Sequence, residues 1–130
     1  MNYKFYDTSS LLLKANNLFE EKTPFAISSI TLNELENIKT SSHKDQEIKY
    51  SARQLLHLLD EHRGSYDIQI YHTSYLDPIV EKDLDITNDM KILACALAYD
   101  REIHPDETIF VTNDMALKSI ANLFFGTDSI

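Results

Sequence analysis

Apolar residues recur along the chain at two different spacings. Short apolar and aromatic runs are typical of buried strands, whereas apolar residues three and four positions apart are typical of amphipathic helices. Runs of the first kind predict strands at residues 2–8, 24–29, 66–71 and 107–112. The second spacing predicts helices at residues 9–19, 30–40, 45–62, 88–102 and 113–124. For residues 72–86 we expect a loop with a short helical turn, and for residues 125–130 a short fifth strand or a tail.

The alternation of predicted strands and helices indicates the fold class. Parallel strands need long crossover connections, usually helices, so this order is typical of a doubly wound α/β fold. We expect a mostly parallel central sheet of four to five strands with helices on both faces. With 2 glycines and 3 prolines in 130 residues there is no sign of a linker, and we expect a single domain over residues 1–130.

Composition and charge narrow the functional classes. No apolar run approaches the roughly 18 residues needed to span a bilayer, and the start of the chain lacks a signal-peptide pattern. A single cysteine, Cys95, excludes a disulfide within the chain and suits the reducing cytoplasm. The net charge of −9 argues against a broad basic surface for nucleic acid, although clustered acids can bind divalent cations.

Four acids fall near the carboxyl ends of predicted strands, where doubly wound folds bind ligands. Asp7 ends the first strand, and Glu34 lies in the first turn of the helix after the second. Asp89 and Asp114 lie in two copies of Thr-Asn-Asp-Met, each at the start of a predicted helix. Because Thr and Asn already serve as helix caps, the additional Asp in each copy indicates a shared ligand. Asp89 joins the others only if residues 75–86 return the chain to the same edge of the sheet.

Gathered carboxylates indicate a divalent cation. Like charges a few ångströms apart resist joint ionisation, and a bound cation relieves that repulsion. Oxygen ligands without a His or Cys motif favour Mg²⁺ or Mn²⁺, ions that activate water for attack on a phosphodiester. We therefore expect four residues to act as both metal ligands and catalytic groups: Asp7, Glu34, Asp89 and Asp114.

Four motifs resemble those of the PIN-domain nucleases and occur in the family's order: YDTSSLL, TLNELENIK, NDMKILACAL and FVTND. Each contains one of the four acids, and together they extend over nearly the whole chain. The resemblance implies a parallel sheet flanked by helices and Mg²⁺- or Mn²⁺-dependent cleavage, usually of single-stranded RNA, often by a homodimer. It also implies that the protein acts as a housekeeping enzyme, as a phage-type nuclease or as a toxin held by an antitoxin.

Within this family, TLNELENIK and YSARQLLHLLDE are most similar to the PIN domain of PhoH-like proteins. No Gly-rich phosphate-binding loop occurs in the sequence, so we expect no ATPase half. A separate ATPase partner and independent action both stay open.

Residues near the four acids are candidates for supporting roles. Glu36, Thr112 and Asn113 would support the metal site, and Lys39 and Arg53 would contact RNA phosphates. Simpler explanations exist: Glu36 would face solvent, Thr112 and Asn113 would cap a helix, and the two cations would lie on solvated helix faces.

Glu34 also has a structural explanation. The sequence TLNE is a capping box, in which Thr31 caps the helix and Glu34 bonds back to the Thr31 backbone. A Glu34 used in this way would point away from a metal.

Two functions compete with the ribonuclease. One is a non-catalytic PIN-like interaction or RNA-binding module, whose acids serve helix capping and folding. The other is a phosphoacceptor receiver domain, which is also doubly wound and binds Mg²⁺. A receiver needs two adjacent acids after its first strand, whereas Asp7 stands alone.

Overall fold

A single parallel sheet forms the centre of the structure, a computed structural model that describes residues 2–128. Its strands are β1 (Tyr3–Tyr6), β2 (Phe25–Ser28), β3 (Asp67–Gln69), β4 (Thr108–Val111) and β5 (Thr127–Asp128). They lie in the order β3-β2-β1-β4-β5, and every neighbouring pair is parallel. All five carboxyl ends therefore meet at one edge of the sheet. The four predicted strands are confirmed, with shorter bounds. For residues 125–130 a short fifth strand or a tail was expected, and β5 shows that a strand forms there.

Helices connect these strands. Within residues 2–128 they are α1 (Thr8–Lys14), α2 (Ser29–Thr40), α3 (Gln46–Glu61), α4 (Asp77–Glu81), α5 (Asn88–Glu102) and α6 (Met115–Ala121). Two short 3-10 turns, Ala15–Asn17 and Thr73–Leu76, supplement them. No helix in the described part of the chain is long and apolar enough to cross a membrane.

Side chains on opposite faces of the sheet enter two separate cores. On β1, Phe5 packs in a core with residues of α5 and α6, whereas its neighbour Tyr6 packs in the second core with residues of α1, α2 and α3. The same alternation occurs on β4, where Phe110 joins the first core and Val111 the second. Because successive side chains of a strand point to opposite faces, helices cover both faces of the sheet, as predicted.

The central helix α5 has the bounds that its apolar pattern predicts. Eight of its residues are buried, among them Cys95, so this helix lies deep between the sheet and the shorter segments around it. Helix α3 is instead amphipathic and buries a stripe of Ala52, Leu55 and Leu59. Its spacing of three and four residues is the one expected for a helix with one covered face.

Several local features differ from the sequence-based expectation, among them α6, which is Met115–Ala121 where residues 113–124 were expected. Helix α1 ends at Lys14 instead of extending to residue 19, because Ala15 adopts a φ of 30° that a right-handed helix cannot continue through. Helix α2 begins at Ser29, one residue earlier than predicted, with Ser28 as its cap. Residues 72–86 hold a 3-10 turn and α4, so they are more helical than a loop. Residues 129–130, the end of the predicted tail, lie outside the described residues.

Candidate active site

The structure brings the four sequence-predicted acids into one cavity of about 260 Å³. Each comes from a different part of the fold. Asp7 follows β1, Glu34 is the sixth residue of α2, Asp89 is the second residue of α5, and Asp114 precedes α6. The condition set for Asp89 is met, since the segment between β3 and α5 places the start of α5 beside the other acids. Separate segments therefore converge at the carboxyl edge of the sheet.

Asp7 is the most enclosed of the four, with 3% of its surface exposed. Its Oδ1 accepts a hydrogen bond from the Ser10 backbone N–H at 2.9 Å, which makes Asp7 the N-cap of α1. The Ser9 hydroxyl lies 3.3 Å from both carboxylate oxygens. The Thr112 hydroxyl donates to Oδ2 across 105 residues of sequence. Capping and long-range bonds together hold this buried carboxylate in one orientation.

In the first Thr-Asn-Asp-Met copy, the helix cap and the site acid are different residues. Thr87 is the N-cap of α5, and its Oγ1 accepts a hydrogen bond from the Met90 backbone N–H at 3.3 Å. Asp89 lies inside the first turn and takes no part in this cap. Its carboxylate is therefore left to face the cavity, near the positive end of the α5 dipole.

The second copy uses its acid differently. Asp114 is itself the N-cap of α6, because its Oδ1 accepts from the backbone N–H groups of Ala116 and Leu117 at 2.9 and 3.1 Å. Neither Thr112 nor Asn113 provides that cap, contrary to the alternative explanation for these residues. Thr112 instead accepts from the Asp114 backbone N–H at 3.0 Å while its hydroxyl donates to Asp7. The buried Thr112 hydroxyl thus links the backbone of one acid to the carboxylate of another.

Glu34 is not part of a capping box. The cap of α2 is Ser28, whose Oγ accepts from the Thr31 backbone N–H at 3.1 Å, so Thr31 lies inside the helix. Glu34 Oε1 accepts a hydrogen bond from the Thr8 hydroxyl at 2.6 Å. The capping-box alternative is therefore wrong, and Glu34 is directed toward α1 and the cavity.

The crowding of negative charge in the cavity affects the pKa of Asp89. Burial raises the pKa of its carboxyl above the ordinary value, and the charges of Glu34, Asp7 and Asp114 raise it further. The three neighbouring carboxylates are therefore close enough to Asp89 to disfavour its charged form. A divalent cation placed among them would lower the pKa of Asp89 again.

The donor chemistry of the cavity fits Mg²⁺ or Mn²⁺, since four carboxylates line it without His or Cys. The positions of these carboxylates, however, do not yet form a complete ligand set. Within residues 2–128, no three Asp, Glu, His or Cys side chains are placed to hold one ion together. Because cap bonds hold Asp7 and Asp114, we expect a joint ligand set to form by rotation of the Glu34 or Asp89 side chain.

The remaining sequence-predicted residues lie elsewhere, except Thr112. Glu36 is exposed and forms a 2.9 Å ion pair with Lys39, and it lines a different cavity. Arg53 is exposed on α3 and does not line the acidic cavity. Asn113 is exposed beside α1 and α3, in a cleft next to the acids. The structure therefore brings none of these four residues into the acidic cavity.

Two hydroxyl residues of the site were not singled out from the sequence. Thr8 and Ser9 line the cavity, and they bond to Glu34 and Asp7 respectively. Their position directly after Asp7 in YDTSS was the available signal, because small hydroxyl residues next to a buried acid commonly satisfy its oxygens.

A five-stranded parallel sheet with helices on both faces and an acidic cavity at its carboxyl edge defines a doubly wound α/β domain. The sequence matches the PIN domain family over residues 5–124, and the chain belongs to that family. The resemblance drawn from the four motifs is therefore confirmed at this level. A comparison with curated protein sequences found no match.

Two solved VapBC structures have a similar fold. VapBC2 from Rickettsia felis, bound to a DNA fragment from its promoter, has a TM-score of 0.59 at 21% identity and covers 98% of each chain. VapBC-5 from Mycobacterium tuberculosis has a TM-score of 0.63 at 14% identity, over 100% of this chain and 98% of its own. At these identities the similarity concerns the fold alone.

Proposed function

We propose that this protein is a metal-dependent endoribonuclease that hydrolyses phosphodiester bonds of single-stranded RNA. The observation that carries the proposal is the convergence of four carboxylates from separate segments on one cavity. Such crowding is costly in the absence of a cation, as the raised pKa of Asp89 indicates. Membership of the PIN domain family supports the nuclease assignment and excludes the receiver alternative.

Asp7, Glu34, Asp89 and Asp114 would hold Mg²⁺ or Mn²⁺ in this proposal. When bound, the ion supplies an activated water molecule and stabilises the leaving oxygen of the phosphodiester. Asp7 provides the rigid part of the site, because Ser10 and Thr112 fix both of its oxygens. Glu34 is oriented by Thr8. Asp89 and Glu34 would complete the ligand set by moving toward the fixed acids.

Cleavage of labelled single-stranded RNA in Mn²⁺ tests this proposal. Two substitutions on α2 form a matched pair: Glu34→Gln removes a cavity carboxylate, and Glu36→Gln removes an exposed one on the same helix. We expect loss of cleavage for Glu34→Gln and for Asp7→Asn, near-normal cleavage for Glu36→Gln, and no cleavage in excess chelator. Unchanged cleavage by Asp7→Asn would refute the assignment.

A toxin regulated by an antitoxin is the biological setting that we infer. Two solved structures of this fold belong to VapBC toxin–antitoxin systems. Beside the acidic cavity, Leu13 and Ile48 are exposed by 56% and 40% and form an apolar surface that a partner would cover. Expression of the wild-type chain alone should arrest bacterial growth, and expression of Asp7→Asn should not. Equal growth of the two strains would contradict the toxin role.

Several narrower predictions belong to the same proposal. The similarity to PhoH-like proteins, the separate ATPase partner and the homodimer rest on the sequence motifs, and none of the matches supports them. A cytoplasmic location likewise rests on the reduced, buried Cys95.

One observation favours a second candidate, the non-catalytic PIN-like module. In the described residues, the carboxylates do not form a ready ligand set. A metal site adds stability by mass action, about 2.7 kcal/mol at a cation concentration 100 times the dissociation constant. An Mn²⁺-dependent rise in melting temperature that disappears in Asp7→Asn supports the nuclease, and its absence supports the module.

A further inference from the structure

A second cavity, of about 300 Å³, adjoins the acidic one. The two share Asp89 and Asp114, which therefore form the wall between them. We call the second cavity the α5–α6 cleft, after the helices that provide most of its surface. Its other lining residues are Leu84, Asp85, Thr87, Met90, Ala116, Leu117 and Ile120. A polymer whose phosphate occupies the acidic cavity could place a neighbouring group at this cleft, on the side of Asp89 and Asp114.

The cleft combines apolar walls with an acidic rim. Leu84, Met90, Leu117 and Ile120 supply apolar surface, and three carboxylates lie on the rim: Asp85, Asp89 and Asp114. Because Asp89 and Asp114 are assigned to the metal, Asp85 is the rim carboxylate that remains as a hydrogen-bond acceptor for a ligand in the cleft. No Lys or Arg is among its lining residues. A phosphate group would be repelled here, whereas a flat neutral group with N–H donors on its edge would fit both kinds of surface.

We propose that the α5–α6 cleft binds the unpaired nucleobase next to the scissile phosphate and selects against uracil. Adenine, cytosine and guanine carry an exocyclic amino group, and Asp or Glu accepts a hydrogen bond from such groups, as in recognition of cytosine N4. Uracil has the N3–H donor but carries O4 where cytosine carries its amino group, and that oxygen would face the Asp85 carboxylate. The base faces would contact the apolar wall. This inference rests on the proposed ribonuclease function and specifies its substrate.

Substitution of Ala116 tests occupancy of the cleft without touching the acids. Ala116 is exposed, lines the cleft and contributes to the α6 cap only through its backbone N–H, so Ala116→Leu fills space and leaves the cap intact. Ser119→Leu adds the same side chain at an exposed site on the same helix, outside the cleft. Asp85→Asn removes one acceptor of the rim while preserving the shape.

Cut sites in a mixed-sequence single-stranded RNA give the first readout. We expect wild-type protein and Ser119→Leu to cut several-fold less often beside uracil, on one side of the bond. Ala116→Leu should abolish this bias, and Asp85→Asn should reduce it. Two results would overturn the cleft proposal and leave the nuclease function intact. In the first, Ala116→Leu keeps the base bias of the wild type; in the second, the wild type cuts RNA without any base bias.

A binding measurement separates the cleft proposal from the nuclease proposal. Met90 lines the cleft, whereas Met115 is 67% exposed and does not. Of the three methionines in ¹³C-methionine-labelled protein, Met90 therefore provides the probe and Met115 the internal control. Cytidine should shift the Met90 signal several-fold more than uridine at the same concentration, leave Met115 unchanged, and have no effect in Ala116→Leu. This result supports the cleft even if no RNA is cleaved. Equal shifts for both nucleosides, or none, would overturn it and leave an apolar side chain of a protein partner as the occupant.

Discussion

Thr112, the residue directly after β4, forms hydrogen bonds with both Asp7 and Asp114 in the acidic site. The substitution Thr112→Val should show how much these two bonds contribute to stability and to metal binding. The Thr112 hydroxyl is fully buried, donates to Asp7 Oδ2 and accepts from the Asp114 backbone N–H. Valine has nearly the same shape but can make neither bond. The substitution therefore leaves packing almost unchanged and removes a donor from a carboxylate that is itself 3% exposed.

The loss can be set against hydrogen bonds of known strength. A bond to a charged group contributes about 1.5–3 kcal/mol and a neutral one about 0.5–1.5 kcal/mol. We therefore expect Thr112→Val to lower the free energy of unfolding by about 2–4 kcal/mol. It should also weaken Mn²⁺ binding, because Asp7 loses the bond that orients Oδ2.

Thr108, the first residue of β4, offers a matched control close to Thr112, which directly follows that strand. Thr108 is 5% exposed, and its Oγ1 has no hydrogen-bond partner among the described residues. Burying an unpaired hydroxyl costs about 1–3 kcal/mol in proteins, so Thr108→Val should be neutral or stabilising. Denaturant unfolding of both variants gives the comparison. If Thr108→Val and Thr112→Val destabilise the protein equally, the bond to Asp7 does not have the strength argued for it.

Two further predictions concern single ionisable groups. Burial and the charges of Glu34, Asp7 and Asp114 raise the pKa of Asp89 in the folded protein above its ordinary value of 3.8. The metal-free protein should therefore lose stability as the pH rises from 3.8 through the raised pKa, because folded Asp89 holds its proton more tightly than unfolded Asp89 does. Asp89→Asn should remove this loss and be more stable than the wild type at neutral pH; identical urea-unfolding free energies across the range would count against the electrostatic argument. Burial also raises the pKa of the Cys95 thiol to about 12. A thiol reagent at about pH 8 should therefore label Cys95 only when the protein unfolds. Rapid labelling of the folded protein would contradict the burial of this thiol.

The sequence predicted the sheet and the positions of Asp7, Glu34 and Asp114 because these depend on local pattern, whereas the position of Asp89 depends on the path of residues 75–86. Alternating apolar runs specify strands and helices, and an acid at the end of a parallel strand must lie at the ligand-binding edge. Helix α5 matched its predicted bounds because most of its residues are buried, which makes its apolar pattern unambiguous.

Capping was harder to predict, because several residues with capping chemistry stand next to each other. Ser28 and Thr31 are both good caps, and the hydrogen bond from Thr8 to Glu34 is made across 26 residues of sequence. The two Thr-Asn-Asp-Met copies show the same limit, since Thr87 caps one helix and Asp114 the other. Only the tertiary fold decides which of two equivalent donors or acceptors is used.

Cation positions could not be predicted for a similar reason. Lys39 and Arg53 belong to helices whose buried faces are set by packing against the sheet, and the cavity lies on another side. A charged residue on an amphipathic helix reports only that its position is solvated.

The most direct test is an anomalous diffraction map from crystals grown with MnCl₂. We expect a manganese peak inside the acidic cavity, within coordination distance of Asp7 and Asp114 and of at least one of Glu34 and Asp89 after rotation of its side chain. Peaks confined to other surface carboxylates, with the cavity side chains unmoved, would contradict the proposal that these four acids form one metal site.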